Sequence, residues 1–104
     1  MKPESLLREK VVRALRARGA FVRVTHGDGH TAGALDLTCV YRGRPVFMEL
    51  KTPENKKGMS PLQLHEQALI KKAGGIAEEA RSVERALAIL NGIDLTIARE
   101  EALE

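Results

Sequence analysis

The chain has 104 residues, a formal charge of +3 and a pI near 9.3, with 43% hydrophobic and 30% charged residues. That balance describes one globular domain rather than a disordered chain, and its mild basicity is compatible with nucleic acid without requiring it. Only three aromatic residues (Phe21, Tyr41, Phe47) and one cysteine, Cys39, argue against a binder that stacks bases on rings and leave no internal disulfide to form.

The N-terminal stretch MKPESLLREKVVRALRARG is amphipathic and dense in charge. It lacks the apolar run of a signal peptide, and no segment is long enough to span a bilayer. Together with the lone thiol, this points to a reducing compartment, the cytoplasm. Residues 4–18 read as a helix, because Leu7, Val11 and Leu15 recur every four residues, and Gly19 stops it. Residues 20–25 read as a strand. HGDGHTAG, 26–33, reads as a glycine-rich loop.

Residues 35–41 (LDLTCVY) and 46–51 (VFMELK) read as a hairpin turning on Arg42-Gly43. After a loop at PENKKGM, Ser60 opens a helix with Pro61 in its first position, and Gly74-Gly75 end it near Ala73. IAEEA, 76–80, reads as a further strand. Ser82 caps a last helix, which is expected to stop at Asn91-Gly92 after Leu90. The remainder, 91–104, is expected to be a tail whose residues 93–97 alternate like a strand. The order α-β-β-β-α-β-α predicts an α/β fold, a mixed central sheet flanked by helices, in a single domain spanning 1–104 with its core at about 4–90.

A two-residue turn at Arg42-Gly43 sets Tyr41 opposite Arg44 and therefore Asp36 opposite Glu49. Alternation then puts Asp36, Glu49 and Lys51 on one face. Leu35, Leu37, Cys39, Tyr41, Val46, Met48 and Leu50 fall on the other. Two facing carboxylates repel, so a cation must offset them or one must hold a proton. Lys51 alone supplies the first as a plain surface ion pair. A hard divalent cation is the other solution, since Mg²⁺ takes one or two carboxylates and leaves room for water and phosphate oxygens. With a lysine beside it, such a centre suits phosphodiester hydrolysis.

Glu4 falls near the Leu7–Val11–Leu15 stripe, whereas Glu9 points away. Glu4 is thus either a first-turn acid matched to the helix dipole or a site residue. Gln63 completes a Ser60-x-x-Gln63 capping box, or turns to a phosphate or water near the helix start. His26 and His30 flank Gly-Asp-Gly. They lack the helical spacing of a zinc pair, and read as solvated or as touching DNA. Asn55, Lys56 and Lys57 make a basic loop just past Lys51, and Arg8, Arg13, Arg16 and Arg18 dot the first helix.

These residues together resemble the virus-type replication-repair nuclease (VRR-NUC) domain of the PD-(D/E)XK nuclease superfamily. The likeness runs from Glu4 to about Leu90. It rests on the N-terminal Glu4, Gly33-x-x-Asp36, Glu49-x-Lys51, Ser60-Pro61-Leu62-Gln63, Gly74-Gly75 and SVERAL at 82–87. The resemblance implies a restriction-endonuclease-like core and a Mg²⁺- or Mn²⁺-dependent endonuclease. Asp36, Glu49 and the Leu50 backbone carbonyl would hold the metal, with Glu4 in support. Lys51 would orient the nucleophilic water, and Gln63 would help position DNA. Products would carry 5′-phosphate and 3′-hydroxyl ends. Stand-alone members act as homodimers on branched DNA, Holliday junctions among them, which implies a role in replication or repair in a bacterial or phage-infected cell. Leu35 stands where the family carries proline, and the family's basic residue before the loop has only Arg23 as a counterpart. Lys56, Lys57, Arg23, His26 and His30 are the candidate DNA contacts. The rival reading is a non-catalytic DNA-binding or assembly module that retains the nuclease fold. A restriction-type nuclease with base readout would need a recognition segment that the sequence lacks.

Overall fold

The computed structural model describes residues 1–25 and 32–104. His26 and His30 therefore lie outside the described residues. The elements run α1 (Pro3–Ala17), β1 (Phe21–Val24), β2 (Leu37–Tyr41), β3 (Arg44–Leu50), α2 (Pro61–Lys72), β4 (Ile76–Ala80) and α3 (Val83–Ala102). This is the expected order. The sheet is mixed, in the order β1-β2-β3-β4, with β1, β2 and β3 antiparallel and β4 parallel to β3.

The hairpin keeps the two-residue turn. Arg42 and Gly43 both have positive φ, +50° and +80°, as a turn matched to the sheet's twist requires. Tyr41 pairs with Arg44 and Leu37 with Met48. No bulge shifts the register, so the sorting of faces holds. Leu35, Leu37, Cys39, Tyr41, Val46, Met48 and Leu50 are all buried. All but Leu35 meet Val11 and Leu15 of α1 and Ala86, Leu90 and Ile93 of α3 in one core. The helix α2 lies over the other face, where Gln67 donates to the Ala77 carbonyl, and none of its residues is buried.

One expectation fails. Asn91-Gly92 does not end the last helix, and 93–97 is not a strand. The helix α3 continues to Ala102, so residues 91–102 are its second half rather than a solvated tail. The apolar stripe explains this. Ala86, Ile89, Leu90 and Ile93 are buried, and Ile97 packs on the same core. A glycine inside a helix costs about 1 kcal/mol relative to alanine. Burying one isoleucine returns roughly 1.5–3 kcal/mol. Asp94 fastens the same stretch, accepting from the Tyr41 hydroxyl at 2.9 Å and from Arg18 and Arg42, each at 2.9 Å. Arg44 reaches Glu100 at 2.7 Å.

Candidate active site

The site forms where β3 runs out, at the opening turns of α1 and α2. Asp36 sits one residue before β2, and its carbonyl accepts from the Thr25 amide at 2.8 Å, which extends the β1–β2 ladder. The register then brings Asp36 against Glu49. The two are locked by crossed hydrogen bonds. The Asp36 amide donates to Glu49 Oε1 at 3.1 Å, and the Leu50 amide donates to Asp36 Oδ2 at 2.8 Å. Each carboxylate thus takes its orientation from the other's strand.

Glu49 is the hub and is buried, with 3% of its surface exposed. Its Oε2 accepts from Gln63 Nε2 at 2.8 Å and lies 3.2 Å from Lys51 Nζ. Burial, and then the neighbouring Asp36 charge, push its pKa up, while Lys51 and Gln63 pull it down. The upward causes win, so Glu49 holds a proton more readily than an ordinary glutamate.

Gln63 makes the capping box, and its free amide end turns to Glu49, a partner the sequence does not name. It completes the capping box with Ser60, its Oε1 accepting from the Ser60 amide at 2.9 Å and its own amide donating to Ser60 Oγ at 3.2 Å. Its Nε2 is left to aim at Glu49. The cap therefore sets the amide's orientation, and the helix start delivers it to the site. The glycine of Gly33-x-x-Asp36 has a packing reason. At φ +85°, a Cβ there would lie 2.7 Å from the Leu62 carbonyl oxygen. Only glycine lets α2 come so close to the approach of Asp36.

Glu4 is exposed, yet it lines the same cleft of about 360 Å³ with Lys2, Ser5, Arg8, Asp36, Glu49, Leu50, Lys51, Thr52 and Asn55. Glu9 instead pairs with Arg13 at 3.2 Å. Lys56 and Lys57 are exposed in the loop after β3. Lys57, Lys51 and Asn55 also line a second cleft beside the first. Arg23 is exposed on β1, opposite Thr38 of β2, and lies over the Phe21 ring at 5.6 Å. Lys2 and Ser5 are not singled out by the sequence, because a helix start is silent about what it abuts. Arg81 escapes it too, because its neighbour Lys51 becomes visible only once β4 is placed parallel to β3.

The donors that face the cleft are hard oxygens, two of them carboxylates held by the backbone, with a third carboxylate at the rim. No group of three or more His, Cys, Asp or Glu side chains is clustered tightly enough to cage an ion among the described residues. Mg²⁺ does not need such a cage, since it keeps several waters. The set therefore fits a hard divalent cation supported by Asp36, Glu49 and the Leu50 carbonyl. Lys2, Arg8 and Lys51 balance Glu4, Asp36 and Glu49, so a divalent charge would turn the cleft positive towards phosphate.

No family model and no curated protein matches the chain. Among solved structures it is similar to one described as a "VRR_NUC domain", with a TM-score of 0.71 and 27% identity, over 88% of this chain and 97% of that one. No helix among the described residues is long and apolar enough to cross a membrane. With a mixed four-stranded sheet and three helices among the described residues, the chain carries the fold of a VRR_NUC domain.

Proposed function

We propose that the chain is a metal-dependent endonuclease that hydrolyses DNA phosphodiester bonds, structure-specific for branched DNA and acting in replication or repair. The observation that carries this reading is the crossed pair of Asp36 and Glu49, with Lys51 3.2 Å from Glu49 in an open cleft. Two repelling carboxylates fixed by backbone amides cost stability, and a hard cation gives that arrangement a purpose. Mg²⁺ or Mn²⁺, when bound, would lower the pKa of a water and offset charge on the phosphate. Asp36, Glu49 and the Leu50 carbonyl would hold it, with Glu4 reaching its waters. Lys51 orients the attacking water, and would take its proton only after losing its own to solvent beside the bound cation. Gln63 keeps Glu49 in place and stands at the helix start where a phosphate would arrive. Lys56 and Lys57 meet the DNA backbone beside the cleft, with Arg23, His26 and His30 as further contacts.

Cutting both strands of a junction needs two sites related by symmetry, hence a homodimer. The sheet offers a face for it. The helices α1 and α3 cover one side and α2 only part of the other, so Phe21 and Val40 on the outer face of β1–β2 remain 54% and 45% exposed. Leu62 and Leu69 of α2 add to the exposed apolar surface, at 56% and 50%. Sedimentation should give a dimer that the double variant Phe21→Glu/Val40→Glu turns into a monomer; a wild-type monomer at micromolar concentration removes this part of the reading.

The activity is tested on labelled duplex, single-strand, flap and four-way-junction DNA in Mg²⁺, Mn²⁺ or EDTA. The wild type should cut only with metal, and best on a branched substrate. Asp36→Asn should bind DNA and cut none, because asparagine still accepts from the Leu50 amide and keeps the strands locked. Binding without any cutting, in wild type as in variant, would leave a non-catalytic DNA-binding module instead.

A further inference from the structure

Arg81 lies just beyond β4, next in register to Lys51. The last pair of the parallel ladder is Leu50 with Ala80, and the Lys51 amide still donates to the Ala80 carbonyl at 3.2 Å. From there the Arg81 side chain reaches across to the loop that follows β3. Its Nη1 donates to the Thr52 carbonyl at 3.0 Å and also to the Asn55 carbonyl, and its Nε donates to Glu79 Oε2 at 3.2 Å. Two carbonyls of one turn are thus gathered on one guanidinium, and a carboxylate from β4 holds that guanidinium flat.

The turn so fixed has its own bonds. The Asn55 amide donates to the Thr52 carbonyl at 3.0 Å, and Asn55 Oδ1 accepts from the Lys57 amide at 2.9 Å. Thr52 and Asn55 line the carboxylate cleft, while Asn55, Lys57 and Gly58 line its neighbour. The turn is therefore the wall between the two clefts, and it bears the exposed Lys56 and Lys57. Glu79 is the register partner of Glu49 and so shares its face. Its Oε1 is buried without a partner among the described residues, and a Cβ on Gly58 would stand 3.7 Å from it. Glu79 and Arg81 together underlie the loop from Thr52 to Gly58.

We propose that Arg81, aligned by Glu79, is a positioning residue that fixes the Thr52–Gly58 loop so that Lys56 and Lys57 meet the DNA backbone in register with the carboxylates. This rests on the nuclease reading for its substrate, but the loop's order is a property of the free protein. Arginine suits the position because its rigid planar guanidinium holds Nη1 on the two carbonyls while Nε meets the carboxylate, a geometry that a flexible ammonium matches only in part.

The test combines amide hydrogen exchange with DNA binding in EDTA, where no bond is cut. In free Arg81→Ala, amides of residues 52–58 should exchange at least about tenfold faster while those of β2 and β3 hold. Its DNA affinity should fall about as far as that of Lys56→Ala/Lys57→Ala, with a similarly reduced salt slope. The triple variant should bind no more weakly than the double, since Arg81 acts through the lysines. Glu79→Gln, which keeps the shape, should show a smaller effect of the same kind, and Arg81→Lys a partial rescue. Additive loss in the triple variant would mean that Arg81 touches DNA itself, and unchanged exchange in the loop would mean that it fixes nothing; either overturns the proposal. Should the wild type bind no DNA in EDTA, the lysine part of the proposal fails, while the cleavage assay in Mg²⁺ decides the nuclease reading and the exchange data decide whether Arg81 orders the loop.

Discussion

Lys51→Ala should lower metal-dependent DNA cleavage by about 10²–10⁴-fold, the range that a positioned proton-transfer group supplies. DNA binding should change little, because the exposed Lys56 and Lys57 remain. The second variant to make is Lys51→Arg. It keeps a cation beside Glu49, so the fold and the carboxylate's charge survive. A guanidinium does not give up its proton near neutral pH. If Lys51 takes a proton from the attacking water, the Lys51→Arg enzyme should be as slow as the alanine variant. If Lys51 only orients that water, part of the rate should return. Cleavage at the wild-type rate in both variants would remove Lys51 from the chemistry and leave it as the counter-ion of Glu49.

The alanine variant also has a pH signature. The folded-state pKa of Glu49 lies above its ordinary value, raised by burial and by Asp36, with Lys51 among the groups that pull it back. A folded pKa above the unfolded one means that the native protein holds the proton more tightly. Stability from this group is therefore complete below the unfolded value of about 4.5 and is lost as pH rises through the raised one. Removing Lys51 raises the folded pKa further and widens that window upwards. Thermal unfolding followed from about pH 4 to about pH 8 should show Lys51→Ala losing Tm more steeply than wild type over the window. Parallel curves would mean that Glu49 does not feel Lys51 as the 3.2 Å contact implies.

The sequence disclosed this site because strand alternation and a two-residue turn are short-range rules. Given Arg42-Gly43 as the turn, Asp36 must face Glu49, and the crossed amide bonds are what that register produces. The capping box of Gln63 is legible for the same reason, whereas the turn of its free amide end to Glu49 follows only from where α2 packs. What stays hidden depends on contacts far apart in the chain. Lys2 and Ser5 reach the cleft only because α1 packs across the sheet. Arg81 reaches Thr52 and Asn55 only because β4 joins β3 in parallel, a pairing made through a helix and not a turn. The end of α3 is hidden because Asn91-Gly92 is a local stop signal, and tertiary packing of Ile93 and Ile97 outweighs it.

That correction carries a large expected effect on stability. A chain stopped after Leu90 should fail to fold cooperatively, or unfold far below the full chain's Tm. The cut removes Ile93, which is 3% exposed, together with the Ile97 packing and every bond to Asp94. Truncating one buried isoleucine costs about 2–5 kcal/mol, out of a total of roughly 5–15 kcal/mol for a domain. Ile93→Ala should show that cost alone in denaturant unfolding. Gly92→Ala should move the other way. A Cβ at Gly92 meets nothing within 4 Å, so alanine restores helix propensity without a clash and should add about 1 kcal/mol. The sign of that change discriminates. If α3 is one helix through Asn91-Gly92, alanine at 92 stabilises the whole domain. Were residues 91–104 a separate tail, neither Gly92→Ala nor the truncation would move the unfolding midpoint.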